Sequence, residues 1–367
     1  DAQESRGLGD VYKRQHVHLF KNFTHEMEKR GHELLFTCRD KEFEIALLEY
    51  NKLKYVSFGK KYKSIVGKIW GMFKFDYLEW RTCLRFKPDI LLSHGSICAA
   101  HAAWLIGKPH IAFEDTFNFE QVRLYKPFTD TILTSDYDNP LKNERNVIQY
   151  AGYHELAYLH PNRFTPNKSI LKELGVDGNE KYVIIRFVSW NASHDIGHRG
   201  ISFDNKLKAI MELKKHAKVF VSSEGELPER LKIHQIEIAP HRMHDAMAFA
   251  SLLLGESSTM SEEAAIMGIP SVYLHTGTIA YTKELEEKYQ LIYNYSESLE
   301  DQERAIKKGI ELLQMDKQGL HDNWLRKRNK LLDEKIDVTA FLVWFIEHYP
   351  ESKSIMKNNP DYQLNFK

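Results

Sequence analysis

Two adjacent acids, Glu262 and Glu263, lie in the otherwise small and apolar segment "GESSTMSEEAAIMGIP" (residues 255–270). The preceding run "SLLL" predicts a buried strand, and the segment itself predicts a turn followed by a helix. Thr259 and Glu262 fit a capping box, with Thr259 as the N-cap and Glu262 three residues further on. Capping therefore accounts for Glu262 without any ligand.

Glu263 lies on a different face of the helix from Glu262, because successive residues of a helix are about 100° apart around its axis. It lies among Met and Ala positions, where a carboxylate needs a hydrogen-bonding partner. Ser257, Ser258 and Thr259 offer hydroxyls and backbone N–H groups at the helix N-terminus, which suits a phosphate. The pattern predicts a nucleoside diphosphate, with its phosphates at the turn and its ribose diol at Glu263. The alternative is a glutamate that meets solvent at a domain edge.

A second polar stretch is "RFVSWNASHDIGHRG" (186–200), in which a predicted strand ends and polar side chains crowd the following loop. Loops at the carboxyl ends of parallel strands carry the chemistry of α/β folds. Asn191, His194 and Arg199 are therefore candidate site residues. His194 and the Asp after it also spell the HD pair of metal phosphohydrolases, and a hydrogen-bonded surface loop is the simplest alternative.

Metal binding is not expected from the sequence. His241 and His244 lie close together in "APHRMH" (239–244), but no carboxylate or cysteine completes a ligand set with them. Cys38, Cys83 and Cys98 lack zinc spacing and predict reduced thiols.

The elements that must position these residues alternate between helical and strand patterns from residue 16 onward. This alternation predicts an α/β protein with parallel sheets covered by helices on both faces. A linker with two prolines divides the pattern into two doubly wound, Rossmann-like domains facing across a cleft, over residues 16–155 and 156–335. A C-terminal helix and tail (336–367) are expected to pack back on the first domain. Within the second, "IEIA" (236–239) predicts a short strand.

The first fifteen residues, "DAQESRGLGDVYKRQ", show neither a helical nor a strand period. Their end, "GLGDVYKRQ", resembles a translated adapter sequence, so residues 1–15 are expected to be non-native, or else disordered. A doubly wound domain normally opens with a central strand, and the helix at Val17 has none before it. We therefore expect the N-terminal domain to lack its first strand, which puts complete folding in question.

The composition excludes some partners and leaves others open. Basic and acidic residues number 51 each, which gives no argument for nucleic acid. No apolar run approaches the ~18–20 residues that span a bilayer. The segment "KKYKSIVGKIWGMFKF" (60–75) mixes lysines with aromatic and aliphatic residues at near-helical spacing. It suits contact with a membrane surface or a lipid-linked acceptor, or ordinary packing with solvated lysines.

The strand, serine-rich turn and "SEEAAIMGIP" resemble the nucleotide-binding stretch of GT-B proteins. Two groups share it: non-hydrolysing UDP-N-acetylglucosamine 2-epimerases and the lipid II-forming N-acetylglucosaminyltransferase. In both, the acid five residues before the glycine of Gly-x-Pro binds the UDP ribose, and that acid is Glu263 here. The resemblance also implies that Arg242 and Met243 contact the base. Nearly everything after residue 15, including "HVHLFKNFTHEMEKRGHE" and "DVTAFLVWFIEHYP", resembles a family catalogued as domain of unknown function 354, which looks like a GT-B relative.

Catalytic roles follow from the same resemblance. Glu114, at the end of "HIAFED", matches a glutamate of the epimerases, whereas Ser96 stands where they carry an aspartate. This difference counts against epimerisation, which needs an acid–base pair. His16 falls where the transferase has a histidine that opens its first helix, and implies a base for an acceptor hydroxyl. By comparison with a His–Arg loop of the epimerases, His194 would be an acid–base group and Arg199 a phosphate clamp.

Together these observations favour a metal-independent, GT-B-like glycosyltransferase that uses a UDP-sugar in cell-surface glycan synthesis. The UDP-sugar is a substrate, and no cofactor is expected. The partners would be the nucleotide sugar and a glycan or lipid-linked acceptor, with the protein cytoplasmic or peripheral at the inner face of the membrane. The alternatives are a non-hydrolysing UDP-N-acetylhexosamine 2-epimerase and a nucleotide-binding protein without turnover. The sugar, the acceptor and the oligomeric state are not predicted.

Overall fold

A computed structural model describes residues 2–4, 13–40, 42–60, 62, 64–188, 200–223, 225–275, 277 and 279–367. The chain divides into two compact units. Unit 1 comprises residues 1–163 and 335–367, and unit 2 comprises residues 164–334.

Residues 1–163 alternate strands with helices. The strands are β1 (Ala2–Glu4), β2 (Phe36–Cys38), β3 (Tyr55–Ser57), β4 (Leu91–His94), β5 (His110–Phe113), β6 (Thr131–Ser135) and β7 (Val147–Tyr150). The helices are α1 (Lys13–Lys29), α2 (Glu42–Tyr50), α3 (Ile65–Phe86), α4 (Ile97–Ile106), α5 (Phe119–Tyr125) and α6 (Leu156–Leu159), with a 3₁₀ turn at Lys126–Phe128.

Residues 164–334 repeat the alternation. The strands are β8 (Tyr182–Phe187), β9 (Lys218–Ser223), β10 (Leu252–Gly255), β11 (Ser271–Leu274) and β12 (Ile292–Tyr295). The helices are α7 (Ser169–Glu173), α8 (Phe203–Leu213), α9 (Met243–Ala248), α10 (Ser258–Met267), α11 (Ala280–Glu287), α12 (Leu299–Gln314) and α13 (Lys317–Glu334), with 3₁₀ turns at Glu229–His234 and Pro240–Arg242.

The C-terminal segment returns to unit 1, as the sequence predicted. It contains α14 (Val338–Glu347), α15 (Glu351–Asn358) and a 3₁₀ turn at Pro360–Phe366. The apolar face of α14 is buried, and Thr339 Oγ1 donates a hydrogen bond to the carbonyl of Ala157 over 2.7 Å. Asp337, the N-cap of α14, receives two hydrogen bonds from Arg163 Nε. The first part of unit 1 therefore extends to Arg163, beyond the expected boundary at 155, because the buried α6 packs on α1.

Unit 1 is built on a seven-stranded parallel sheet in the order β3-β2-β1-β4-β5-β6-β7. The expectation that the first strand is missing differs from the structure, because Ala2–Glu4 occupies that central place between β2 and β4. Strand pairing uses backbone groups, so three residues without an apolar pattern can fill it. Helix α1 likewise begins at Lys13, inside the segment expected to lack structure. The adapter-like origin of residues 1–15 stays a prediction.

Unit 2 is built on a five-stranded parallel sheet in the order β12-β11-β10-β8-β9. Strands β8, β10 and β11 are buried along their whole length, as parallel strands covered by helices must be, whereas the edge strand β12 is mostly half-buried. The strand predicted at 236–239 is wrong: beside β9, the structure has a single bridge between Val221 and Gln235. The preceding 3₁₀ turn and the following Pro240 leave too little extended chain for a ladder.

Close backbone approach fixes the central strand of unit 2. A Cβ placed on Gly255, the last residue of β10, would lie 2.2 Å from the carbonyl oxygen of Arg186 in β8. Only glycine fits at that position, and the chain leaves the sheet there. Among the described residues, no helix combines the length and the apolar character that crossing a membrane requires.

Candidate functional site

The turn after β10 in unit 2 leads directly into the predicted nucleotide helix. Ser257 is the N-cap of α10, and its Oγ accepts a hydrogen bond from the backbone N–H of Met260 over 3.3 Å. The predicted capping box, with Thr259 as N-cap and Glu262 at its third position, is therefore wrong. Because the strand ends at Gly255, the helix starts two residues earlier and places Thr259 inside its first turn. Ser257 to Thr259 nevertheless lie at a helix N-terminus after a strand, as a phosphate site requires.

Glu263 is buried, with 6% of its surface exposed, and its carboxylate has a specific partner. His244 Nε2, from α9, lies 2.9 Å from Glu263 Oε1, and His244 is itself buried, with 7% of its surface exposed. The expectation that a carboxylate on this helix needs a hydrogen-bonding partner is thus confirmed. No sequence pattern indicates this pair, because His244 precedes Glu263 by 19 residues and belongs to another element.

The predicted base-binding residues lie at the start of α9. Met243 opens that helix, directly after the 3₁₀ turn at Pro240–Arg242. The guanidinium of Arg242 binds within unit 2, to Ser169 Oγ and to Asp245 Oδ2, each at 2.9 Å. These contacts hold the turn in place, and base recognition by Arg242 and Met243 stays a prediction.

Glu256 was not selected from the sequence, yet it holds two chain segments together. Its carboxylate accepts hydrogen bonds from the backbone N–H of Val188 over 2.7 Å and of Ile201 over 2.6 Å. Lys206 Nζ lies 3.5 Å away, and burial lowers the pKa of Lys206 although Glu256 opposes that shift. Glu256 therefore holds Val188 and Ile201, which lie on either side of the stretch 189–199. Asn191, His194 and Arg199 belong to that stretch and lie outside the described residues.

Unit 1 brings four polar side chains together at the carboxyl edge of its sheet. His94 ends β4, Asp115 follows β5, and His154 follows β7. His94 Nε2 lies 3.0 Å from Asp115 Oδ1, and His154 Nδ1 lies 3.0 Å from Asp115 Oδ2. His16, in the first turn of α1, stacks on His94 with ring centroids 4.3 Å apart. We call these four residues the histidine cluster.

The histidine cluster lies where the strand order of unit 1 reverses. The chain runs outward from β1 through β2 to β3, then crosses to β4 on the other side of β1. His16 lies in the first turn of the helix after β1 and His94 ends β4, so the two flank this switch point. Ligands of open α/β sheets bind in the crevice outside the carboxyl ends of the strands at such a point.

Burial and charge shape the cluster's electrostatics. Burial alone would raise the pKa of Asp115, but the two imidazoles beside it hold that pKa well below its ordinary value. Burial would likewise lower the pKa of His94, and the carboxylate of Asp115 outweighs it and raises that pKa. The cluster therefore favours an ionised Asp115 with a proton available on a neighbouring imidazole.

Glu114 is adjacent to the cluster, but its own loop occupies its carboxylate. Oε1 accepts hydrogen bonds from the backbone N–H and the hydroxyl of Thr116, each at 3.0 Å, and from the N–H of Phe117 at 2.8 Å. The Tyr125 hydroxyl donates to Oε2 over 2.5 Å, and burial raises the pKa of that tyrosine. This arrangement suits a carboxylate that shapes the loop. The acid–base role of Glu114 stays a prediction.

Among the described residues, one group could hold a metal ion: His94, Asp115 and His154. The pair considered from the sequence, His241 and His244, is not part of such a group. Sequence reasoning missed His94 and His154, because three ligands on separate strands have no fixed spacing. The only signal available was that each follows a predicted strand.

Comparison with known proteins places the sequence in a family. A family model described as "Protein of unknown function (DUF354)" matches residues 9–313. An uncharacterized protein of Methanocaldococcus jannaschii is 26% identical over 300 residues, which is 77% of this chain and 86% of that protein.

Two solved structures show the same architecture at low identity. The UDP-GlcNAc 2-epimerase of Neisseria meningitidis, bound to UDP-GlcNAc, is similar with a TM-score of 0.61 and 16% identity, over 90% of this chain and 98% of that one. MurG of Acinetobacter baumannii is similar with a TM-score of 0.56 and 12% identity, over 94% of this chain and 98% of that one. The predicted GT-B-like fold is confirmed.

Proposed function

The chain belongs to the DUF354 family, and we propose that this member is a GT-B-like glycosyltransferase that uses a nucleotide sugar, with UDP as the nucleotide. The observation that carries the proposal is the strand–turn–helix of unit 2, where Glu263 is held by His244 behind the N-terminus of α10. A buried carboxylate oriented in this way suits a ribose diol.

The other parts of the nucleotide would also bind in unit 2. The diphosphate would accept hydrogen bonds from the N–H groups of the turn at Ser257 to Thr259, where the helix dipole also favours negative charge. The base would meet the backbone of the turn that ends at Met243. Arg199 and Asn191 remain proposed contacts of the sugar diphosphate. The similar epimerase of Neisseria meningitidis is a complex with UDP-GlcNAc, which supports this ligand class.

Unit 1 would supply the acid–base groups. His16 was proposed as the base for an acceptor hydroxyl, and it lies in the histidine cluster at the switch point of the sheet. Glu114 and His194 are the further candidates. A leaving UDP can be stabilised by helix N–H groups and arginine, so unit 2 needs no cation for this step.

A specific observation also supports epimerisation as a second candidate, namely the similarity in fold to a UDP-GlcNAc 2-epimerase. The residues favour transfer. Ser96 stands where the epimerase pattern has an aspartate, and its Oγ accepts from the N–H of Ala99 as the N-cap of α4. A buried capping serine cannot remove a proton from a sugar carbon. A nucleotide-binding protein without turnover is the third possibility.

The acceptor is proposed to be a glycan or lipid-linked sugar near the inner face of a membrane, in cell-surface glycan synthesis. On α3, Trp70, Phe73, Tyr77 and Leu84 are between 49% and 64% exposed. Arg81 and Arg85 are exposed on the same helix. Aromatic side chains next to arginines suit the interface of an anionic bilayer.

The test is a turnover assay on the full chain with UDP-N-acetylhexosamines in deuterium oxide, followed by NMR. The proposal predicts UDP release that depends on an added glycan or lipid-linked acceptor, with no deuterium at C2 of the sugar. Deuterium at C2 would establish the epimerase instead. Binding of UDP without either reaction, across a broad acceptor panel, would indicate a protein without turnover.

A further inference from the structure

The donor atoms of His94, Asp115 and His154 converge inside unit 1 without the geometry of a complete hydrogen-bonded network. We propose that these three side chains bind a divalent transition-metal ion, of which Zn²⁺ fits the donor set best. Two imidazole nitrogens and one carboxylate are ligands typical of zinc sites that keep a further position open. The sequence predicts no metal site, and the proposed site lies in unit 1 alone.

The three side chains lie close enough together to bind one metal ion after side-chain rotation. Both imidazole nitrogens lie 3.0 Å from an oxygen of Asp115, and the ligand atoms of the three residues all lie within 4.8 Å of one another. Tetrahedral ligands at 2.0–2.1 Å from zinc are separated by about 3.3 Å. The two nitrogens approach different oxygens of Asp115, so for one cation to reach all three side chains the most distant ligand atoms must approach each other by up to about 1.5 Å.

The hydrogen-bonding state of His94 is the most specific indication of a metal site. Its Nε2 lies 3.0 Å from Asp115 Oδ1, yet it has no hydrogen-bond partner among the described residues. In the neutral tautomer that carries its proton on Nδ1, the lone pair of Nε2 binds metals.

A purely hydrogen-bonded arrangement explains less of the geometry. It accounts for His154, whose Nδ1 is bonded to Asp115 Oδ2 at 3.0 Å. It leaves Nε2 of both histidines buried without a hydrogen-bond partner among the described residues. Buried polar groups are usually satisfied, so a ligand that takes the lone pair of His94 removes one of these two exceptions.

The position of the site gives such a metal a use. It lies at the switch point of the sheet, where unit 1 would hold a substrate. A hydroxyl or water in an open metal position loses its proton more easily. If the proposed function holds, the metal would activate the acceptor hydroxyl, with His16 stacked on the ligand His94. The binding site itself does not depend on that function.

The test is metal binding by the purified full chain, first stripped with a chelator and then titrated with Zn²⁺ and with Co²⁺. We expect one equivalent of Zn²⁺ per chain, and Co²⁺ absorption bands in the visible range that report a four- or five-coordinate N/O site. Substitutions H94Q, D115N and H154Q should each weaken Zn²⁺ binding by at least about 100-fold.

His101→Gln is a matched control, because His101 also has an imidazole nitrogen 3.0 Å from an aspartate, Asp76, in the same unit. It should bind Zn²⁺ like the unchanged chain. Circular dichroism identifies any variant that does not fold, and the stoichiometry and Co²⁺ spectrum of the unchanged chain stand without the variants. Absence of Zn²⁺ and Co²⁺ binding, or equal loss in H101Q, would overturn the proposal. UDP binding measured in parallel would test the proposed function separately.

Discussion

Replacing Glu263 by glutamine should remove most of the affinity for UDP while leaving the shape of α10 unchanged. Glu263 is 6% exposed, and its carboxylate is oriented by His244 Nε2 at 2.9 Å. Glutamine keeps one oxygen for His244, but it replaces the second acceptor by an N–H donor and removes the charge. A ribose diol then loses a charge-assisted hydrogen bond, which contributes about 1.5–3 kcal/mol.

That loss corresponds to a rise in Kd of about 10–150-fold. UDP at 100 times the Kd of the unchanged chain stabilises the folded state by about 2.7 kcal/mol. For a domain of 150–250 residues, 1 kcal/mol raises Tm by about 2–4 °C, so the expected shift is about 5–11 °C. With a Kd 100-fold higher, the same UDP concentration contributes about 0.4 kcal/mol, and the shift falls to about 1–2 °C.

Thermal denaturation with and without UDP measures this difference, and Glu262→Gln is the matched control. Glu262 is the adjacent residue of the same helix and is also buried, at 4% exposure. The E262Q chain should keep the full UDP shift. The reasoning would be refuted if E263Q kept the shift, or if E262Q lost as much of it as E263Q does.

Three other results are expected. G255A should destabilise unit 2 by about 3 kcal/mol, because the new Cβ would lie 2.2 Å from a carbonyl oxygen of β8; a chemical denaturation midpoint equal to that of the unchanged chain would contradict this. His101 hydrogen-bonds to Asp76, and this bond raises the pKa of His101 above 6.5. The pair therefore stabilises the folded protein below pH 6.5. This contribution disappears as the pH rises through the raised pKa. H101Q should therefore lower stability by about 0.5–1 kcal/mol at pH 5.5 and by nearly nothing at pH 9, and an equal loss at both pH values would exclude the mechanism. A chain with Trp70 and Phe73 both changed to Glu should no longer sediment with phosphatidylglycerol vesicles that retain the unchanged chain; equal sedimentation of both would remove α3 from the membrane contact.

The fold was largely predictable, because most of its strands are short apolar runs between turn signals. The runs that became β4, β5 and β6 are buried along their whole length, and their neighbours have helical periods. Strand β1 escaped prediction, since Ala2–Glu4 has no apolar pattern and pairs through its backbone alone. The strand predicted at 236–239 failed for the opposite reason: an apolar alternation was present, but no ladder formed.

The candidate site was predictable where its residues are close in sequence. The position of Glu263 behind a serine-rich turn follows from one segment of 16 residues. The N-cap was misplaced by two residues because the close approach at Gly255, which ends the strand, depends on tertiary structure. His94 and His154 could not be connected, because their meeting at Asp115 is set by the strand order.

Calorimetric titration of nucleotides into the full chain tests the central claim most directly, since the claim is that unit 2 binds a nucleoside diphosphate. Titration with UDP should give a saturating heat signal with one UDP bound per chain, and the signal should be strongly reduced in the E263Q chain. The account would be contradicted if UDP, dTDP and GDP all gave no heat of binding at millimolar concentration to a chain shown by circular dichroism to be folded.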